Sequence, residues 1–245
     1  MVNIIKQKEL TSTNVYAAEQ LKKNDPDEFT VYLAENQPEG KGQPGNCWES
    51  ESGKNLTFSL ILRPIFLPIP QQYLISKVVC LGIVKTLSTR IDGVKIKWPN
   101  DIYVDNKKIC GILIENQLRG MRLSSSIVGV GLNVNQEHFV SDAPNPISMK
   151  QIVHADFNLD DVLGEILINI IAYYDLLQRK ENIDSVNAEF LANMYRLGEW
   201  HLFRAANVTF EGRIDGVNKF GQLKLTHRET NFQQEYNFKE VQYVL

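Results

Sequence analysis

An α/β fold is predicted by the sequence: a mixed, mostly antiparallel sheet flanked by helices, followed by a small C-terminal β-barrel. Three observations carry this. Strand-like and helical stretches interleave up to about residue 195. Between residues 94 and 134 successive strands are joined by short turns, as antiparallel neighbours are. From about Trp200 the pattern changes to short strands separated by turn residues, which divides the chain into residues 1–198 and 199–245.

Taken in order, VNIIKQKEL alternates as a strand does. Thr11-Ser12-Thr13-Asn14 then offers several N-caps to a helix over VYAAEQLKK, which has apolar residues at helical spacing and lysines at its end. Residues 30–36 (TVYLAEN) are β-branched and aromatic, and residues 55–63 (NLTFSLILR) read as an apolar strand ended by PIFLPIP. A long, largely buried helix is expected over 71–91. Strands follow at 94–98, in a hairpin over 101–109 turning at Asp105-Asn106, and at 109–117 and 123–134. Residues 136–150 are polar, carry two prolines and read as a loop of the length usually given to function. Helices are expected at 160–179 and 183–195, and ANVTFEGRIDGVNKFGQLKLTH with QQEYNFKEVQYVL supplies the barrel strands.

Composition narrows the function. The 245 residues, 43% hydrophobic and 22% charged, suit a globular chain with a sizeable core and a small appended domain. A net charge of −3 without long basic runs, and an N-terminus that reads as a strand rather than a helix-turn-helix, argue against nucleic acid as a partner. No signal peptide and no stretch apolar enough to span a bilayer is evident, so cytoplasmic residence without a membrane partner is expected. Cys47, Cys80 and Cys110 lack C-x-x-C spacing and read as free thiols, and the four histidines lie too far apart to suggest a metal site or triad.

Residues 40–45, GKGQPG, match the G-x-G-x-x-G spacing of dinucleotide loops. No helix opens behind them, however, and Pro44 stands inside the loop, so neither NAD binding nor a Walker A loop is supported. The more specific stretch is residues 97–115, KWPNDIYVDNKKICGILIE. It sets an amide and a carboxylate at a strand end, Lys107 and Lys108 just after a hairpin turn, and Gly111 in the following strand. A cation, an acid and a close-approach backbone suit an anionic ligand and its metal.

Together with Thr11-Ser12-Thr13-Asn14, the AENQ and GKGQPG run, Trp48-x-Ser50, Gly53-x-Asn55-Leu56 and Gly129-x-Gly131-x-Asn133, this stretch resembles the biotin protein ligases, in their short form without a DNA-binding domain. The resemblance covers nearly the whole chain. It implies a catalytic domain of the class II synthetase/biotin-lipoate ligase type over 1–198 and an SH3-like barrel over 199–245. It also implies ATP-dependent activation of biotin to biotinyl-5'-AMP with release of pyrophosphate. Transfer to a lysine of a biotin carboxyl carrier protein would follow, with ATP-Mg²⁺ and biotin as substrates and no tightly bound cofactor. Lipoate ligation by the same acyl-adenylate chemistry is the alternative, and a homodimer is left open.

Carried over residue by residue, the resemblance makes Lys108 and Lys41 catalytic. It gives biotin to Ser12, Thr13, Asn14, Gln37, Gly40, Trp48, Gly111 and Gly129. The nucleotide falls to Lys41, Gly42, Gln43, Asn100, Asp101, Lys108 and Asn133, with Asp101 and Asn133 near Mg²⁺ and the 136–150 loop folding over the adenine. Arginines common in the family's glycine loop are missing here, where Lys41, Gln43 and Pro44 stand, and a lysine lacks bidentate reach. The 40–55 segment is expected to close over the intermediate and exclude water. Trp98 and Pro99 read as packing and turn elements, and Glu115 receives no role.

Overall fold

The structure is a computed structural model that describes residues 1–40, 42, 47–140, 145–179 and 182–244. Its larger sheet contains β1 (Asn3–Glu9), β2 (Thr30–Asn36), β3 (Leu56–Leu62), β4 (Val94–Lys97), β5 (Asp101–Val104), β6 (Lys107–Arg119) and β7 (Arg122–Leu132). The spatial order is β1-β2-β3-β7-β6-β5-β4. β1 and β2 pair in parallel, and the remaining neighbours pair antiparallel. The sheet is therefore mixed and mostly antiparallel, as expected.

The alternation in LTFSLIL of β3 decides what each face does. Phe58, Leu60 and Leu62 point into the main core, shared with α2 (Tyr73–Leu87) and α4 (Leu159–Gln178). Each such side chain contributes roughly 1.5–3 kcal/mol on burial. On the opposite face only Ile61 is large, and it joins Ala17, Tyr32 and Ile127 in a smaller cluster with α1 (Thr13–Lys23). Thr57 and Ser59 continue that face as small polar residues, so it is left with room for a ligand.

Helices α2 and α4 approach closely at Gly82, where an added Cβ would lie 2.7 Å from the Cα of Ile170. Helix α2 also buries Lys77, whose Nζ donates to Asn187 Oδ1 at 2.7 Å and lies over the rings of Tyr73 and Phe190. Burial pulls its pKa down to about 8. From there up to the unfolded lysine value of about 10.4 the unfolded chain binds more protons, so stability from this group rises with pH, by about 3 kcal/mol in all. Urea unfolding of Lys77→Met should show greater stability than the parent at pH 7, with the advantage fading towards pH 10. A constant difference across that range would exclude the buried charge as its cause.

Several boundaries differ from expectation. The helix expected over 71–91 begins as a 3₁₀ turn at Ile69–Gln71 and runs as α2 only to Leu87. The hairpin expected over 101–109 is present, β5 turning at Asp105-Asn106 (Asp105 at φ 53°) into β6, but β6 runs on unbroken through the separate strand expected at 109–117. The 136–150 loop ends in an unexpected helix, α3 (Met149–Val153), held by a capping box between Ser148 and Gln151. α5 (Ile183–Ala192) stops short of residue 195, because the chain leaves it to pair with the β4 edge: Ile96 N donates to Asn193 O and Tyr195 N to Ile96 O.

Strands β8 (Trp200–Ala205), β9 (Val208–Val217), β10 (Leu223–His227), β11 (Gln233–Tyr236) and β12 (Val241–Tyr243) form a second antiparallel sheet, ordered β11-β10-β9-β8-β12. This arrangement is consistent with an SH3-like module. Trp98, preceding a cis Pro99, is buried against it, its Nε1 donating to Gly221 O at 2.8 Å, so the packing role expected of this tryptophan holds. Cys80 and Cys110 are buried free thiols and Cys47 an exposed one. Among the described residues, no helix is long and apolar enough to cross a membrane.

Candidate active site

The open half of the sheet is floored by glycines. Gly111 of β6 pairs with Gly131 of β7, and Gly131 and Gly129 in turn face Thr57 and Ser59 of β3. The missing side chains matter sterically. A Cβ on Gly131 would lie 2.3 Å from the Trp48 indole, and one on Gly111 2.9 Å from the same ring. On Gly129 it would lie 2.3 Å from Asn14 Oδ1. Trp48 thus rests on a strip of bare backbone, a use of glycine that no larger residue could serve.

The N-terminus of α1 closes one end. Ser12 occupies the N-cap position, yet its side chain caps nothing. The side-chain cap comes instead from Gln37, whose Oε1 accepts from Thr13 N at 2.8 Å. This satisfies one of the helix's orphan amides and leaves the buried Ser12 hydroxyl facing the pocket. Asn14 behaves differently from a cap. Its Nδ2 donates to Glu115 Oε2 at 2.7 Å and Leu113 O at 3.2 Å, and its Oδ1 accepts from Ser59 Oγ at 2.6 Å. The Asn14 amide is therefore spent on fixing its own orientation, and Glu115, to which the sequence assigned nothing, helps to hold it.

Opposite stands Lys108. A bulge puts it there: Ile102 pairs with Cys110 and Tyr103 with Lys108, so Ile109 has no partner on β5. The extra residue lets Ile109 and Cys110 both enter the core and turns Lys108 onto the face of Gly111, with its Cε 3.3 Å from where a Gly111 Cβ would be. Its backbone is bonded to the segment after the 141–144 stretch, Lys108 N donating to Asn145 O and Ile147 N to Lys108 O. The ammonium pairs with Asp101 Oδ1 at 2.8 Å, both side chains about a quarter exposed, and lies 5.6 Å from the Trp48 ring centroid. Nearby Lys97 sits between the rings of Tyr103 and Tyr243. Burial lowers its pKa, Asp101 opposes the shift, and Lys108 and Arg196 add to it.

Ser12, Thr13, Asn14, Gln37, Gly42, Trp48, Asp101, Lys108, Gly111 and Gly129 line one pocket. Three other expected residues are not among those that line it. Gly40 packs on the Trp48 backbone, accepting from Trp48 N at 2.8 Å. Asn100 spends its amide on Ile112 O. Asn133 donates from Nδ2 to Ile147 O at 3.1 Å, while its buried Oδ1 has no hydrogen-bond partner among the described residues. Lys41 and Gln43 lie outside the described residues. The lining residues Thr57, Ile112, Leu113 and Val130 were not singled out from sequence, and Gly131 was named only within the Gly-x-Gly-x-Asn motif. Thr57 and Ser59 carried a signal: small polar residues at period two inside an otherwise apolar strand.

Metal chemistry can be tested against these donors. No group of three His, Cys, Asp or Glu able to hold a metal occurs among the described residues. Mg²⁺, however, is commonly held by one or two protein oxygens together with substrate phosphates and water. The second oxygen of Asp101 and the unpartnered Asn133 Oδ1 fit that limited demand.

Comparison with known proteins agrees with this geometry. The family model described as the biotin/lipoate A/B protein ligase family matches residues 6–133. The bifunctional ligase/repressor BirA of Bacillus subtilis is 34% identical over 238 residues, covering 91% of this chain and 68% of the relative. The biotin--[acetyl-CoA-carboxylase] ligase of Paracoccus denitrificans is 26% identical over 200 residues, 79% of this chain and 82% of its own length. Among solved structures, the biotin protein ligase of Aquifex aeolicus in complex with biotin and ATP superposes with a TM-score of 0.81 at 25% identity, covering 100% of both chains.

Proposed function

The chain belongs to the biotin/lipoate A/B protein ligase family, and from that premise we propose that it is an ATP-dependent biotin protein ligase. In this reading residues 1–198 form the catalytic unit and 199–245 the small barrel. The supporting observation is the juxtaposition of a polar pocket at the α1 N-terminus with the Lys108–Asp101 pair across bare glycine backbone. One end suits a neutral, hydrogen-bonding ring and the other suits anions.

Biotin's ureido group carries donors and an acceptor, each costing roughly 1–3 kcal/mol if buried unpaired. Ser12 Oγ, the Gln37 amide nitrogen and backbone groups beside Gly111 and Gly129 meet it, with Trp48 as the apolar wall. Asn14 acts by fixing the polar α1 end of the pocket through its bonds to Ser59, Leu113 and Glu115. The biotin carboxylate then faces the α-phosphate. A carboxylate oxygen forms the new bond to phosphorus, the bond to the β-phosphate oxygen breaks, and pyrophosphate departs. Lys108 supplies positive charge where two anions must meet, the arrangement that contributes most in a water-poor site. Asp101 keeps that ammonium at the strand end before nucleotide arrives. Asp101 and Asn133 would also hold Mg²⁺, which when bound neutralises phosphate charge. In the second half-reaction a carrier lysine amine attacks the acyl carbon and AMP leaves. Lys41, Gln43 and Asn100 complete the nucleotide side in this proposal.

The test is ATP-dependent transfer of radiolabelled biotin to a purified biotin carboxyl carrier domain, with lipoate as the parallel substrate. Biotin transfer accompanied by pyrophosphate, without lipoate transfer, is expected. Lipoate transfer alone, or neither, would reject the proposal.

A further inference from the structure

Gln136 is 1% exposed and was assigned no role from sequence. All its polar atoms are used. Oε1 accepts from Asn55 Nδ2 at 2.5 Å and from Glu51 N at 3.0 Å. Nε2 donates to His138 O at 2.8 Å and to Glu49 Oε1 at 3.2 Å. Three of these four partners, Glu49, Glu51 and Asn55, belong to a segment far away in sequence, the one that follows Trp48. Further bonds run along the same seam: Val134 N donates to Asn55 Oδ1, Asn135 N to Lys54 O, and Val140 N to Glu49. One buried amide thus ties residues 49–55 to residues 134–140.

The consequence concerns Trp48. Its backbone is gripped from one side by Gly40, to whose carbonyl Trp48 N donates. From the other side Glu49 and Glu51, next along the chain, are bonded to Gln136. Its indole has no such anchor: Nε1 is buried without a partner among the described residues. The ring over Gly111 and Gly131 is therefore aimed by the backbone on either side of it.

We infer that Gln136 is a positioning residue for biotin, holding the Trp48 wall over the glycine strip from the far side of the seam. This rests on the biotin reading of the pocket. Hydrogen bonds to a buried amide are costly to leave unmade, so losing the set should be visible in affinity. Gln136→Met keeps the volume and removes every bond. Its KM for biotin should rise about tenfold, with kcat and the KM for ATP altered far less. Trp48 emission, isolated by subtracting the Trp48→Phe spectrum in each background, should become more accessible to acrylamide. Gln136→Glu should likewise be impaired, since it faces Glu49 with like charge. Adding Glu49→Gln should restore it in part, because the pair with residue 49 is remade with donor and acceptor exchanged while the bond to His138 O stays lost.

Unchanged quenching, or increased quenching with an unaltered KM for biotin, overturns the inference. So does a parallel rise of both KM values with no rescue by the exchanged pair, which describes a general loss of structure. A parent that fails to activate biotin refutes the reading of the pocket instead, and the ligand-free quenching still decides whether Gln136 aims Trp48.

Discussion

Lys108→Ala should lower kcat for biotin-dependent exchange of pyrophosphate into ATP by about 10²–10³-fold, the loss typical of removing one preorganised group that meets developing charge. The bulge at Ile109 turns this ammonium onto the glycine strip, and its 2.8 Å pair with Asp101 holds it at the strand end where the two anions would meet. Biotin affinity should change little, because the ring-binding groups lie at the α1 end. Lys108→Arg should not restore the rate: a planar fork cannot replace a point charge fitted between Asp101 and the Trp48 ring. An alanine variant retaining more than half of parental exchange would remove Lys108 from the reacting centre.

Gly82→Val should destabilise the fold by about 3 kcal/mol, at the upper end of overpacking costs, and lower Tm by about 6–12 °C. The clash is with backbone, an added Cβ standing 2.7 Å from both Cα and N of Ile170, so no side-chain rotation relieves it. Helices α2 and α4 would have to separate. Gly164 of α4 is the matching control, since nothing lies within 4 Å of an added Cβ there. Gly164→Ala should stabilise by roughly 0.5–1 kcal/mol through helix propensity alone. Equal and small effects at both sites in thermal unfolding would contradict the close approach.

Much of this architecture was legible from residue order, for reasons specific to each part. Strands of the large sheet showed themselves by period-two alternation and by turns too short for crossovers. The pocket was legible because its residues sit in compact strings, and strings that return to one strand end come together in space. What escaped depended on tertiary partners. The end of α5 yielded to the β4 edge, which offered Asn193 and Tyr195 better backbone bonds than another helical turn. Helix α3 carried its capping box in plain view at Ser148 and Gln151, but the preceding prolines made a loop the simpler reading. Gln37 as the cap of α1 was invisible because capping is normally sought beside the helix, and Gln37 is 24 positions from Thr13. Gln136 looked like an ordinary polar loop residue until the segment bonded to it was known.

The unpaired Ile109 gives the hairpin an arithmetic of its own. Iron out the bulge with both intervening residues kept, and strict two-fold alternation sets Lys108 and Gly111 on opposite faces, sending the lysine's charge towards the helices while every motif letter survives in order. A relative that aligned perfectly across KWPND and the glycines, yet ran through this point without the bulge, would carry the signature and lack the reagent, whereas one a residue shorter here would need no bulge because Lys-x-Gly alternates onto one face. For enzymes built on this sheet, parity between turn and glycine is as informative as the residues themselves.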